Sequence, residues 1–294
     1  MYSKINSKKL LHFILIIIGV NTLVSCQPED SFVNNGLSEP IDASFTIAPS
    51  EDSANRFLLT VTSKNLIASK WDLGTGEGAY SGNNNEEIFL PDAGTYSISH
   101  IAIGKGGESE TVTQELTVAE SDPVAGNLVQ GGKFLNSEDY AKWTSLDLST
   151  SADWNFNPGS ATINSTGGWA QEAIYQEIEI VKDKEYSIDM FVESTGTFNE
   201  TWFEVYAGTT PPVLGQEYTD NRIMGLSTWD GCATSAFSGK LSSVGCVVNA
   251  NTSTINNTVS FDASGTIYLV IRCGGNTFDP AGITMTNVEF RGKN

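Results

Sequence analysis

The chain predicts an all-β protein made of two successive antiparallel sandwiches. Three observations carry this. Apolar and polar residues alternate with a period of two through many short segments, as half-buried strands require. Gly, Asn and Pro-Asp clusters punctuate those segments at intervals too short for a helix to intervene. No 11-residue window holds apolar residues at the i, i+3, i+4, i+7 spacing of an amphipathic helix. A length of 294 residues suits two domains, each large enough to bury its own core.

At the amino terminus, Lys4, Lys8 and Lys9 precede the apolar run Leu10 to Val20, the pattern of an export signal over residues 1–25. Leu23, Val24 and Ser25 before Cys26 resemble a bacterial lipobox, which implies acylation of Cys26 and cleavage just before it. Acyl chains on that cysteine would anchor the protein to outer-membrane lipid, because burial contributes about 0.8 kcal/mol per methylene. Glu29 and Asp30 resemble the acidic surface-export signal of lipoproteins in Bacteroidota-type bacteria, so the expected location is the outer face of the outer membrane. An ordinary cleaved signal with a chance cysteine is the plainer alternative. No later stretch approaches the roughly 18 apolar residues that span a bilayer.

Without its signal the chain has 13 basic against 35 acidic residues, a formal charge of −22. Such a surface repels nucleic acid and anionic lipid, whose binding draws on clustered Lys and Arg. Neutral or cationic ligands stay open.

Residues 26–40 are polar and aperiodic, the composition of a flexible tether. "IDASFTIAPS" and "NRFLLTVTSKN" then alternate as strands, and the β-rich segments from Ala68 to Glu120 are spaced as in a small sandwich. Within them Trp71, Asp72 and Gly74 of "WDLGTGEG", followed by Pro91, Gly94, Thr95 and Tyr96 of "PDAGTYSIS", resemble the PKD-type immunoglobulin-like module over residues 41–119. Gly-Thr-Gly-Glu-Gly stands where that module usually has a Gly-Asp-Gly core. Trp71 is expected to fill the space between the sheets, and the resemblance implies a spacer. Asp-Pro and Gly in "ESDPVAG" mark a linker at 120–126.

The rest of the chain, 127–294, again alternates: "EAIYQEIEI", "EYSIDMFVE", "TWFEVYAG", "NNTVSFDAS", "TIYLVIRC" and "GITMTNVEFR" predict a jelly-roll sandwich. "NLVQGGKFLNSEDYAKWT", "GGWAQEAIYQEIEIVKDKEYSIDMFV" and "GTIYLVIRCGGNTFDPAGITMTNVEFR" resemble the opening, aromatic and closing strands of carbohydrate-binding modules of the family 4, 16 and 22 type. "TWFEVYAGTTPPVLGQEYTDN" resembles such modules in surface glycan-binding lipoproteins of starch-utilisation-type uptake systems. The resemblance implies capture of a polysaccharide, a β-1,3-glucan such as laminarin, for an outer-membrane transporter.

A pyranose ring packs its C–H face on an aromatic ring while its hydroxyls need a few polar partners. Five of the six tryptophans lie in the second domain. Trp143 follows an opening strand and suits the core. Trp154, Trp169 and Trp229 stand in polar, Gly- or Asn-rich surroundings typical of loops and are the leading platforms. On "TWFEVYAG", Trp202, Glu204 and Tyr206 share one face and Phe203 and Val205 the other. With Phe203 and Val205 inside, Trp202 could stack and Glu204 accept sugar hydroxyls. On "EAIYQEIEI" the same alternation turns Tyr175 outward and Gln176 inward with Ile174 and Ile178, so Gln176 is a second-rank candidate.

Cys232 and Cys246 bracket a Gly- and Ser-rich loop, and their disulfide would contribute about 3 kcal/mol; a bridge from Cys273 to either remains open. His100, on an alternating strand of the first domain, is the one histidine beyond the signal, so nucleophilic triads and histidine-metal chemistry lack their parts. A glycosidase needs two carboxylates about 5 to 10 Å apart, and "EYSIDMFVE" offers Asp189 and Glu193 but Ser187 where a third acid would stand. No catalytic cofactor is expected. Structural calcium has candidate oxygen ligands in Glu138, Asp139 and Asn287. The competing non-enzymatic reading is a surface structural or adhesin-like lipoprotein.

Overall fold

The computed structural model describes residues 40–50 and 55–293; Cys26 and the expected signal and tether lie outside them. The chain divides into two compact units. One comprises residues 40–48, 58–88 and 96–116, and the other residues 49–50, 55–57, 89–95 and 117–293. Nearly all regular structure is β. Among the described residues no helix is long and apolar enough to cross a membrane.

Seven strands lie before residue 119: β1 (Phe45–Pro49), β2 (Arg56–Val61), β3 (Leu66–Asp72), β4 (Tyr80–Gly82), β5 (Asn85–Phe89), β6 (Gly94–Gly104) and β7 (Ser109–Val118). They form one sheet in the order β1-β2-β5 and another in the order β4-β3-β6-β7. Trp71 is fully buried, with Phe45 edge-on at 5.1 Å and His100 at 4.4 Å, and its indole donates to the Asn83 carbonyl. His100 is equally buried, bonded to the Ala43 carbonyl and the Ser69 hydroxyl. Both side chains are structural: Trp71 fills the space between the sheets, and His100 is held on its alternating strand.

The second part of the chain holds α1 (Ser137–Tyr140), β8 (Thr144–Ser145), β9 (Ala152–Asn157), β10 (Ser160–Ser165), β11 (Ala170–Ile180), β12 (Glu185–Ser194), β13 (Asn199–Gly208), β14 (Arg222–Ser227), β15 (Phe237–Lys240), α2 (Leu241–Val244), β16 (Thr258–Ser260), β17 (Gly265–Thr277) and β18 (Ile283–Gly292). A six-stranded sheet runs β15-β12-β18-β10-β9, with β16 also paired to β12. A five-stranded sheet runs β14-β13-β17-β11-β8. Phe203, Val205, Ile271 and Ile174 from the second sheet meet Ile188, Met285 and Phe290 from the first in one apolar core. Burying that core removes alternate side chains of every long strand from water, which is the main favourable term in the fold.

Trp154 belongs to this core. The surrounding Asn, Pro and Gly residues are the body and tight turn of the β9–β10 hairpin, in which Trp154 pairs with Ile163. Ala152 and Trp154 alternate inward with Trp154 only 6% exposed, and its ring meets Phe203 edge-on at 6.2 Å. Trp143 is buried as well, stacked on Phe134.

Candidate functional site

The site is built on the outer face of the five-stranded sheet. Its rows follow from the register: Trp202 of β13 and Gln171 of β11 both stand opposite Gly274 of β17, and Glu204 and Ala173 both stand opposite Arg272. Phe203 and Val205 point into the core, so Trp202, Glu204 and Tyr206 take the outer face, as alternation demands.

Part of that face is covered. Leu146 and Leu148 from the segment after β8, and Tyr218 from the loop joining β13 to β14, pack over Ala173, Tyr206 and Val270 to form a second apolar cluster. The Gly215 amide donates to the Leu146 carbonyl and ties the two covering segments together. Glu172 holds the first of them in place, accepting from the Leu148 amide at 3.0 Å. Burial pushes its carboxyl above the ordinary range despite those backbone donors.

Three sequence candidates are engaged inside the protein. Glu204 is buried, and both its oxygens are engaged: Oε1 accepts from Arg222 at 2.8 Å, and Oε2 from Arg272 at 3.0 Å and from the Tyr206 hydroxyl. Burial alone would raise its pKa, but these three donors outweigh it and hold the carboxyl below its usual value. Glu204 is therefore an internal counter-ion and not a hydroxyl acceptor for a ligand. Tyr175 packs against the covering cluster with its ring 6.2 Å from Tyr268. Gln176 faces inward and closes a reciprocal pair with the Gln130 backbone, which satisfies its amide internally.

Beyond the cover, towards the amino-terminal end of β11, the face opens. Trp202 is half-buried there and Trp229 is 57% exposed. Their ring centroids are 6.2 Å apart, with planes inclined by 34°. Trp229 sits two residues past Ser227, the cross-strand partner of Trp202. The Cys232–Cys246 disulfide and the bonds Cys232 N to Ser227 O and Asp230 N to Ser227 Oγ brace its turn. Cys273 is a free, buried thiol behind the sheet.

Trp169 is 58% exposed at the start of β11, with φ of +58°. A bulky residue in the left-handed region is strained, of order 1–3 kcal/mol, and such strain clusters at binding sites. Its neighbour Ala170 pairs with Gly275, and Thr201 pairs with Gly275 from the other side. Two strand spacings, about 10 Å, thus separate the backbones that carry Trp169 and Trp202. Asn276 and Glu200, bonded at 2.6 Å, lie in the row between.

Reasoning from sequence alone missed Gln171, Asn276 and Gly274. Gly274 leaves room for its neighbours: a Cβ there would stand 2.5 Å from Gln171 Cβ and 2.7 Å from Trp202 Cζ2. The adjacent glycines of "CGGN" within a strand were the available signal. Of the calcium candidates, Asp139 is engaged by the Leu135 amide at 2.7 Å and Asn287 lies on β18. Among the described residues no three His, Cys, Asp or Glu side chains gather into a metal-holding group.

No protein-family model and no curated protein matches the chain. Solved structures give similarities at low identity. One, of carbohydrate-binding modules from the β-sandwich superfamily, is 14% identical with a TM-score of 0.33, covering 84% of this chain and 96% of that one. The chitinase ChiA74 of Bacillus thuringiensis is 12% identical with a TM-score of 0.22, covering 83% of this chain and 28% of the enzyme. Tailspike protein 4 of bacteriophage CBA120, in its enzymatically active domain, is 14% identical with a TM-score of 0.30, covering 60% of this chain and 23% of that one.

Proposed function

We propose that this protein is a non-catalytic, surface-displayed lipoprotein that captures a neutral polysaccharide on the outer face of its carboxy-terminal sandwich. The observation that carries the reading is the pair of adjacent indoles, Trp202 and Trp229, at the open end of that face, with the strained and exposed Trp169 across the strand ends. Exposed tryptophans grouped in this way offer the flat apolar surface that the C–H face of a sugar ring packs on, and Gln171, Asn276 and Glu200 supply hydrogen-bonding groups beside it.

The finer reading follows the sequence resemblance. Acylated Cys26 anchors the chain in the outer membrane, the residue 41–119 module spaces the binding domain from the surface, and a β-1,3-glucan such as laminarin is handed to a transporter. A charge of −22 favours uncharged over acidic glycans.

Affinity electrophoresis in gels containing laminarin, mixed-linkage β-glucan, galactomannan or amylopectin tests the reading. The protein is expected to be retarded by at least one glycan, laminarin foremost, and Trp229→Ala to run free in that gel. Retardation by none supports the adhesin-like alternative, and release of shorter products from any of them marks an enzyme.

A further inference from the structure

Two unpaired polar atoms lie in one row of the candidate site. Trp202 Nε1 and Gln171 Oε1 are both sealed from solvent, and neither has a hydrogen-bond partner among the described residues. Arg272 Nε, two residues along β17 on the same face, is a third. Leaving such a group buried and unpaired forfeits its hydration without return, so natural folds keep few of them and those few call for a cause. Trp154 Nε1 is also unpaired, but its side chain belongs to the apolar core between the sheets.

The orientation of the Gln171 amide is set by chemistry. Its Nε2 donates to Glu217 Oε1, and a carboxylate there can only accept, so the amide oxygen must face away from Glu217. Glu217 is held in turn by Arg272, whose Nη1 donates to its Oε2 at 3.3 Å. The row therefore presents one fixed acceptor, Gln171 Oε1, and one donor, the Trp202 N–H, on either side of a glycine. Gly274 has no side chain to pin the indole that lies over it.

We propose that Gln171 and Trp202 form a concealed hydroxyl-reading step of the glycan site: the indole turns off Gly274 as a sugar enters, and one sugar hydroxyl then accepts from Trp202 Nε1–H and donates to Gln171 Oε1. This rests on the glycan-binding reading above and adds the groups that select the ligand. A hydroxyl satisfies both atoms because it donates and accepts. A carboxylate or sulfate could answer only the indole and would meet the Glu217 and Glu200 carboxylates. An ammonium could answer only the amide oxygen. The step thus selects uncharged, hydroxyl-bearing sugars by geometry, apart from any effect of net charge.

The test compares the full mature protein with Gln171→Met, Trp202→Phe and the double variant in the same glycan gels, with melting temperatures measured alongside. Methionine keeps the length of Gln171 without its amide, and phenylalanine keeps an aromatic ring without the N–H. Each single variant should weaken binding about tenfold in the gel that retards the wild type. The double variant should lose little more than either, since both groups act on one hydroxyl. Folding is checked by melting temperatures near that of the wild type. Singles retarded like the wild type, while Trp229→Ala runs free, would overturn the hydroxyl step and leave the glycan-binding reading standing. Losses that multiply in the double variant would overturn the shared hydroxyl. Failure of the wild type to bind any of the glycans would overturn both.

Discussion

Glu204 and Arg272 face each other across β13 and β17 as a buried ion pair, 3.0 Å from carboxylate to guanidinium, with only 10% and 8% of their side chains exposed. Beside the pair Tyr206 packs with Tyr218 and Leu146, and Arg222 and Glu217 extend the pair outward. It fixes Arg272, which in turn holds Glu217 against Gln171, so the polar side of the candidate site is set by a charge network beneath it.

Breaking that pair should be costly. Truncating one member leaves the other buried and unpaired, and the expected loss for Glu204→Ala is about 3–5 kcal/mol, read from the urea midpoint. Replacing both residues together by apolar side chains of similar volume should cost far less than either single change. Equal losses for single and double variants would show that packing, and not charge, dominates at this position.

The pH dependence of stability should carry two opposite contributions. The Glu204 carboxyl is held below its ordinary value, so its contribution is fully present above the unfolded-state pKa and is lost as pH falls through the folded one. Glu172 is pushed above its ordinary value by burial, so the folded chain keeps its proton longer and stability falls as pH rises between the two values. Urea midpoints across the acidic range should show Glu204→Gln converging on the wild type at low pH. Glu172→Gln should lack the fall at the upper end of that range.

Two of the three tryptophans placed in loops by their sequence surroundings, Trp154 and Trp229, should behave in opposite ways. Trp154→Ala empties part of the core and is expected to cost about 3–5 kcal/mol. Trp229→Ala removes a ring that is 57% exposed and should shift stability by no more than about 0.5 kcal/mol while abolishing glycan retardation. Denaturant melts of the two variants, set beside the affinity gels, check both halves.

The disulfide braces the arm that carries Trp229. Its two cysteines are 14 residues apart, and removing the bond through Cys232→Ser with Cys246→Ser should cost about 3 kcal/mol of stability. Glycan affinity should fall as well, because an unbraced Trp229 must be ordered on binding. Unchanged affinity would mean that the turn bonds from Ser227 suffice to hold the ring.

The strand faces were legible because alternation is a local property. Phe203 and Val205 inward, Trp202 outward, and Gln176 inward with its isoleucine neighbours all follow from period-two patterning and agree with the observed burial. What alternation could not show is a second layer. Glu204 and Tyr206 lie on the outer face as expected, yet Leu146 and Tyr218 pack with Tyr206, and Tyr206, Arg222 and Arg272 close on the Glu204 carboxylate. Trp154 was misread because a two-residue Pro-Gly turn between short strands has the composition of a loop, although its hairpin is regular. Gln171, Asn276 and Gly274 went unseen because their role depends on three strands lying side by side, and that register is set by the whole sheet.

The affinity of Trp229→Ala for the glycan that retards the wild type, measured by titration calorimetry on protein shown to melt normally, tests the central claim most directly. The account predicts that binding falls below detection with no loss of fold. Wild-type affinity in that variant would contradict it, because the shelf formed with Trp202 would then have no part in holding the sugar.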